Sequence, residues 1–247
     1  MSEFKNKVVV ISGAASGIGA ETSKLYAELG AHVIGVDLSL ADETAAEIKK
    51  AGGSAEFITG DVSAEETWIK AAELAEVKGD ADIIVNIAGY SLMEDNAETL
   101  STELWQKVLG ANLKGHWLAA KHLLPGMKKK GAGSIVNMSS ATSLVGVPNH
   151  LAYSSAKGGV DALTRQLAVD YAPYNIRVNA VAPGPVRTPM MKTNTEEKMQ
   201  EIVDAVPLKR VAEPRELAEI IQFLSSKSAS SITGAVLPVE GGMTMAM

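Results

Sequence analysis

Ser12-Gly13-Ala14-Ala15-Ser16-Gly17-Ile18-Gly19 follows a β-branched run at 7–11 and opens a segment with helical spacing. Over 17–29, Ile18, Thr22, Leu25 and Leu29 fall on one helix face. Glycines let a backbone turn tightly and approach a phosphate, and a helix start offers free N–H groups and the positive end of its dipole. The spacing is Gly-x-x-x-Gly-x-Gly, not the Gly-x-Gly-x-x-Gly of the commonest dinucleotide turn. A plain glycine-rich turn would read the same in isolation. The strand before it and the helix after it favour a phosphate-binding loop.

Outward from this loop, the same alternation continues. β-Branched runs come at 32–36, 55–58, 82–85, 134–138, 177–181 and 235–239, several apolar almost throughout, as in strands covered on both faces. Between them, 41–51, 64–78, 103–129, 152–172 and 214–225 carry helical patterns. Gly52-Gly53 marks a C-cap, and Pro214 stands at an early helical position. Alternating strands and helices predict an α/β fold: a doubly wound, mostly parallel seven-stranded sheet in a single domain spanning 1–247. Such sheets bind ligands beyond the carboxyl ends of the strands, where the strand order reverses.

The residues just after each strand are therefore the candidates. Asp37 ends the second strand, 20 residues after Gly17, where a carboxylate reaches the ribose hydroxyls of a dinucleotide. The competing reading is a cap for the helix starting near Leu40. Asp61-Val62 follows the third strand, and Asn86-Ile87-Ala88-Gly89 the fourth, its small residues allowing a flat ring or ribose to lie against the backbone. Ser139-Ser140 follows the fifth strand. Tyr153 and Lys157, four apart at a helix start, share one face.

Composition narrows the classes. The 247 residues contain no cysteine, which excludes disulfides, thiolate metal sites and a cysteine nucleophile. The net charge of -6 argues against nucleic-acid binding. The run Lys128-Lys129-Lys130 reads as the solvated end of a helix. No His, Asp or Glu cluster has metal-ligand spacing, so no metal is expected. With neither a signal-peptide pattern nor an apolar run of membrane-spanning length, the expected location is the cytoplasm.

Taken together, the chain resembles the short-chain dehydrogenase/reductase family in its branch of about 250 residues. The resemblance rests on Ser12-Gly13-(x)3-Gly17-Ile18-Gly19, Asp61-Val62, Asn86-x-Ala88-Gly89, Asn112, Ser140, Tyr153-(x)3-Lys157, Pro183-Gly184 with Thr188, and Gly234-(x)4-Val239-Glu240-Gly241-Gly242, in the family's order. Two departures are visible: Ser12 where Thr is usual, which keeps the hydroxyl, and Ile87 where a second Asn is common.

The resemblance implies a Rossmann-type fold and an NAD(H)-dependent interconversion of a secondary alcohol and a ketone. Tyr153 would be the general acid/base. A free phenol ionises near pH 10 (about 10), and a neighbouring ammonium, Lys157, favours the phenolate. Lys157 would also hold the nicotinamide ribose, Ser140 would donate to the substrate oxygen, and Asn112 would hold a water linking Lys157 to solvent. By residues alone, Asn112 also reads as a buried asparagine that satisfies helix backbone. The implied cofactor contacts are Gly13, Ser16, Gly17, Ile18, Gly19, Asp37, Asp61, Val62, Asn86, Ala88, Gly89, Tyr153, Lys157, Pro183, Gly184, Val186 and Thr188.

Loops near 92–97, 141–150 and 184–210 would shape the substrate pocket. The last of these forms a lid over 184–210, with a polar, mobile segment at 193–198 and Met190, Met191 and Met199 as adaptable packing. His150 is read as either a pocket wall or a helix start, and His116 and His122 as packing or surface residues. A homotetramer is implied, built on helices 103–129 and 152–172 and the last strand. Trp105, Trp117 and the tail 243–247 fit such an interface, although core packing explains the tryptophans equally well. The alternatives are a 3-oxoacyl-[acyl-carrier-protein] reductase and a non-catalytic dinucleotide-binding scaffold. A sugar-nucleotide epimerase lacks room for its substrate domain.

Overall fold

The computed structural model describes residues 2–91, 95–191 and 195–246. The parts of the expected pocket wall at 92–94, of the expected lid at 192–194 and of the apolar tail at 247 lie outside the described residues. Seven strands form one sheet: β1 (Val8–Ser12), β2 (His32–Asp37), β3 (Ser54–Thr59), β4 (Ile83–Asn86), β5 (Gly133–Met138), β6 (Ile176–Pro183) and β7 (Val236–Val239). Their order is β3-β2-β1-β4-β5-β6-β7, and every pairing is parallel. The order reverses between β1 and β4, so the crevice at their carboxyl ends is the switch point of the fold.

The helices are α1 (Gly17–Glu28), α2 (Asp42–Lys50), α3 (Glu65–Val77), α4 (Thr102–Leu109), α5 (Gly115–Lys130), α6 (Leu151–Tyr171), α7 (Glu196–Ala205) and α8 (Pro214–Ser225). Alternation along β1 splits the core into two layers. Val8 and Val10 pack with Trp68, Leu118, Leu123 and Leu167 on the side of α3, α5 and α6. Val9 and Ile11 pack with Tyr26, Leu217, Ile221 and Leu224 on the side of α1 and α8. Each such side chain contributes about 1.5–3 kcal/mol of burial, which explains why the central strands are apolar on both faces. No helix among the described residues is long and apolar enough to cross a membrane.

The long helix expected over 103–129 is interrupted. A π-helical turn at Gly110–Lys114 separates α4 from α5. Within it, Asn112 Nδ2 donates to the Val108 carbonyl at 2.9 Å and to the Tyr90 carbonyl at 2.6 Å. A side chain that donates to the carbonyl four residues back competes with the helix ladder, and π-turns mark functional positions in helices. Helix α5 then ends on Gly131, at φ +66°, after three lysines that complement its dipole. Helix α7 is an addition to the expected elements. Thr195 accepts from Lys198 N–H, Glu196 and Glu197 occupy the first turn, and none of its residues is buried. Thr195-Glu196-Glu197 is a readable N-terminal helix signal inside the segment expected to be a mobile loop.

Candidate active site

The glycine-rich loop runs from β1 into α1, and its glycines serve different ends. Gly13 has φ +73°, and a Cβ there would lie 2.9 Å from Ala88 N. A Cβ on Gly19 would lie 1.9 Å from the Gly13 carbonyl oxygen, so only glycine lets α1 pack onto the loop. Gly17, at φ +55°, sits beside the Thr188 side chain, which brings the segment after β6 against the loop. Ser16 is the N-cap of α1 and makes no side-chain cap bond. Ile18 packs on the apolar layer beneath. The hydroxyl of Ser12 accepts the N–H groups of Ile87 and Ala88 at 3.1 and 3.2 Å, tying β1 to the loop after β4. The serine thus performs the joining role that a threonine would.

At the next strand end, Asp37 accepts Ala15 N–H and Ser39 N–H, both at 2.9 Å. It does not cap α2, whose N-cap is Ala41, without a side-chain bond. Asp61 accepts Ser63 N–H at 2.8 Å, and the carbonyl of buried Val62 accepts the Trp68 indole N–H at 2.8 Å. The Asn86 side chain points into the sheet. Its Nδ2 donates to Asn137 Oδ1, and Asn137 donates in turn to Thr164 Oγ1, each at 2.9 Å. Asn137 and Thr164 carry no motif signal; only the fold joins them to this site. Past β6, Gly184 packs so closely on Glu240 that a Cβ would lie 2.8 Å from Glu240 Cβ. Val186 bridges to Ala212.

Ser140, Tyr153, Lys157 and Asn112 converge at the carboxyl end of β5. Ser140 is buried, and its Oγ accepts Thr142 N–H at 3.2 Å and Thr142 Oγ1–H at 3.1 Å. Ser140 neighbours the Tyr153 phenol and favours its ionised form. Lys157 Nζ lies 5.5 Å from the Tyr153 ring centroid and donates to the Met138 carbonyl at 2.7 Å. Lys157 is only 1% exposed. Burial holds its pKa down, to about 7, and Asp161 opposes that shift. Burial pushes the Tyr153 phenol up, and the neighbouring Ser140 opposes it. The expected depression of the phenol is therefore not the dominant effect here. A low-dielectric pocket disfavours phenolate and ammonium alike.

Asn112 is fully buried, and its Oδ1 has no hydrogen-bond partner. A Cβ on Gly89 would lie 2.6 Å from that oxygen and 3.7 Å from Lys157 Nζ. Gly89 thus leaves open the space between the two groups. An orphaned oxygen, a lysine and a glycine-lined cradle suit a hydroxyl-rich ribose and a flat ring, so the residues present fit a dinucleotide.

Two contributors escaped the sequence reading. Asp95 Oδ2 accepts Ala152 N–H at 2.8 Å and holds the start of α6, where His150 supplies no side-chain cap. His116, expected to be packing or surface, is buried beside Lys157. Burial and the lysine charge hold its pKa well below the usual histidine value. The carbonyls of Met138 and Asn86 interact with its ring, yet Nε2 has no partner of hydrogen-bond geometry. His150 Nδ1–H donates to the Pro148 carbonyl, 2.8 Å away, and the residue lines an open cleft of about 570 Å³ with Asp95, Thr142, Val145 and Ser154. That cleft adjoins the reacting groups through Thr142 but does not contain them.

A family model described as enoyl-(acyl carrier protein) reductase matches residues 13–244. The chain belongs to the short-chain dehydrogenase/reductase family. It is 40% identical over 243 residues to a cis-4-hydroxycyclohexanecarboxylate dehydrogenase of Sinomonas cyclohexanicum, with 98% of each chain covered. The solved structure of a levodione reductase matches with a TM-score of 0.95 at 32% identity, covering 99% of this chain and 100% of that one. A 3-ketoacyl-(acyl-carrier-protein) reductase of Brucella melitensis, solved with NADH, matches with a TM-score of 0.90 at 36% identity, covering 98% and 100%. The chain is accordingly an oxidoreductase that works with a nicotinamide dinucleotide.

Proposed function

We propose that this enzyme interconverts a secondary alcohol and a ketone using NAD(H), with Tyr153 as the general acid/base. The observation that carries the reading is the convergence of buried Ser140, half-buried Tyr153 and buried Lys157 at the carboxyl end of β5, beside the switch point. A nicotinamide dinucleotide held here would supply or take up the hydride. Gly13, Ser16, Gly17, Ile18 and Gly19 would hold its phosphates, and Asp37 the adenosine ribose. Asp61, Val62, Asn86, Ala88 and Gly89, with Pro183, Gly184, Val186 and Thr188, would line the rest of the dinucleotide cleft. In alcohol oxidation, Ser140 O–H donates to the substrate oxygen. Tyr153 Oη takes the hydroxyl proton as the carbon gives up its hydride. Lys157 stabilises the phenolate and the nicotinamide ribose, and Asn112 Oδ1 accepts from the ribose side or from a water that returns the proton to solvent.

The substrate class is a small secondary alcohol or ketone, cyclic ones included. The two relatives named for cyclohexanecarboxylate and levodione support this. A 3-oxoacyl-[acyl-carrier-protein] reductase is the second reading, favoured by the Brucella structure. Against it, the basic run available for an acidic carrier is engaged locally. Lys128 lies over the Tyr174 ring, Lys129 pairs with Asp80, and Lys130 pairs with Asp82 at 2.8 Å.

A lid over 184–210 and a homotetramer complete the reading. Exposed Trp117 and Leu104, and a surface cleft of about 510 Å³ lined by Trp105, Leu113 and Leu163, support association through α4, α5 and α6. An NADH-coupled screen of cyclic and acyclic secondary alcohols, run beside a 3-oxoacyl thioester, tests the assignment. Turnover of the thioester alone would favour the second reading, and turnover of nothing would favour a scaffold.

A further inference from the structure

The mechanism above leaves one buried charge unused. Asp161 lies on α6, four residues beyond Lys157 and eight beyond Tyr153, so the three side chains share one stripe of the helix. It is 5% exposed. Its Oδ1 accepts the Ser139 hydroxyl, and Ser139 Oγ is 3.0 Å from Ser143 Oγ. Ser143 Oγ in turn donates to the Ser140 carbonyl at 2.7 Å. With the Ser139 proton given to Asp161 and the Ser143 proton to the Ser140 carbonyl, the two hydroxyls only touch, and what Asp161 holds directly is Ser139, the residue before Ser140.

A neutral asparagine could accept from Ser139 just as well. A buried carboxylate costs desolvation energy that a hydrogen bond to a neutral hydroxyl does not offset. The added negative charge acts on Lys157. Three titratable groups bear on that ammonium: Tyr153 and Asp161 from its own helix, and His116 from α5. Strand β5 contributes only the Met138 carbonyl. His116 is neutral by burial, and of the three groups only Asp161 favours the charged lysine.

We propose that Asp161 is a positioning residue of the reaction: its carboxylate favours the charged form of Lys157 inside the protein and, by accepting the Ser139 hydroxyl, anchors the residue before Ser140. The inference rests on the acid/base role of Tyr153 proposed above. Without the carboxylate, Lys157 loses its proton at lower pH. The neutral amine no longer favours the phenolate, and Tyr153 then ionises at higher pH.

The test is the pH profile of kcat/KM for alcohol oxidation in Asp161→Asn, Asp161→Glu and Ser139→Ala, with folding checked by circular dichroism and NADH binding by fluorescence. Asp161→Asn should move the rising limb to higher pH by about half a unit or more, roughly a threefold loss at a fixed pH on that limb. Asp161→Glu keeps the charge and should keep the limb in place. Ser139→Ala should lower kcat without moving the limb. A folded, NADH-binding Asp161→Asn with the wild-type limb overturns the proposal, as does Ser139→Ala shifting it equally. If Asp161→Asn does not fold, the Asp161 carboxyl 13C resonance of the wild type decides. An inflection where Lys157 titrates supports the coupling, and its absence overturns it. Tyr153→Phe separates the two readings: full activity there sinks the acid/base role, whereas an inactive Tyr153→Phe with an unmoved Asp161→Asn limb sinks this inference alone.

Discussion

Asp37 Oδ2 accepts a hydrogen bond from Ala15 N–H at 2.9 Å, so the acid ending β2 belongs to the glycine-rich loop and not to the helix after it. The carboxylate is thereby fixed beside the loop, with Leu38 and Leu40 exposed next to it and no Lys or Arg among residues 14–16 or 38–40. A 2′-phosphate would lose the carboxylate as an acceptor and meet like charge. The enzyme should prefer NADH to NADPH by about 100-fold or more in kcat/KM. Asp37→Ser combined with Leu38→Arg should narrow or reverse the ratio. Comparable use of both cofactors by the wild type at low ionic strength would remove Asp37 from the ribose.

Tyr153→Phe should fold, bind NADH, and turn over at least ~100-fold more slowly, the low end for losing a general acid/base. Lys157→Ala should damage both turnover and NADH affinity. Steady-state kinetics with fluorescence titration separates the two effects. A Lys157 variant that lost turnover alone would leave the ribose contact without support.

Burial of Lys157 also predicts a pH dependence of stability. Its folded pKa, about 7, lies below the ordinary lysine value of 10.5. Between those two values the unfolded chain binds more protons than the folded one, so this group adds stability as pH rises through that window. Below it both states are charged, and the contribution is flat at its least favourable level. Chemical denaturation from about pH 6 to pH 10 should therefore show the wild type gaining on Lys157→Met as pH rises above about 7. Parallel curves would mean that the lysine is not desolvated as described.

Gly89→Ala places a methyl group 2.6 Å from Asn112 Oδ1 and close to Lys157 Nζ. The expected result is weakened NADH binding, about tenfold or more, a cost of about 1.4 kcal/mol. Calorimetric titration would reveal it, and unchanged affinity would show that the space beside Asn112 is not used by the cofactor.

Trp117 is 46% exposed on α5. If that face joins subunits, Trp117→Glu should reduce the solution mass, measured by light scattering after size-exclusion chromatography, from a tetramer to a smaller species. A wild type that is already monomeric would refute the assembly.

The strand–helix alternation, the glycine loop and the Tyr153–Lys157 pair were legible because each is local, whereas Asn112 was singled out only by the family resemblance. Strand pattern, glycine spacing and the Tyr153–Lys157 interval are all set by neighbours within a few residues. The interval places both side chains on one helix face in any α-helix. The N-terminal signal of α7 was equally local, but lay in a segment whose polarity suggested a loop.

Other features were decided only when distant segments met. The Ser12 contact with the loop after β4, the Asp95 hold on α6 and the Asn86–Asn137–Thr164 chain each join residues tens of positions apart. The π-turn at Asn112 needs the Tyr90 carbonyl from another segment. The charge states of the site are tertiary in origin as well. Sequence places an ammonium near a phenol, which by itself would favour the phenolate. Folding removes both from water, which raises the phenol and lowers the lysine, with Asp161 opposing the second shift. Spacing along a chain determines which groups can meet, but the dielectric around them depends on everything packed against them.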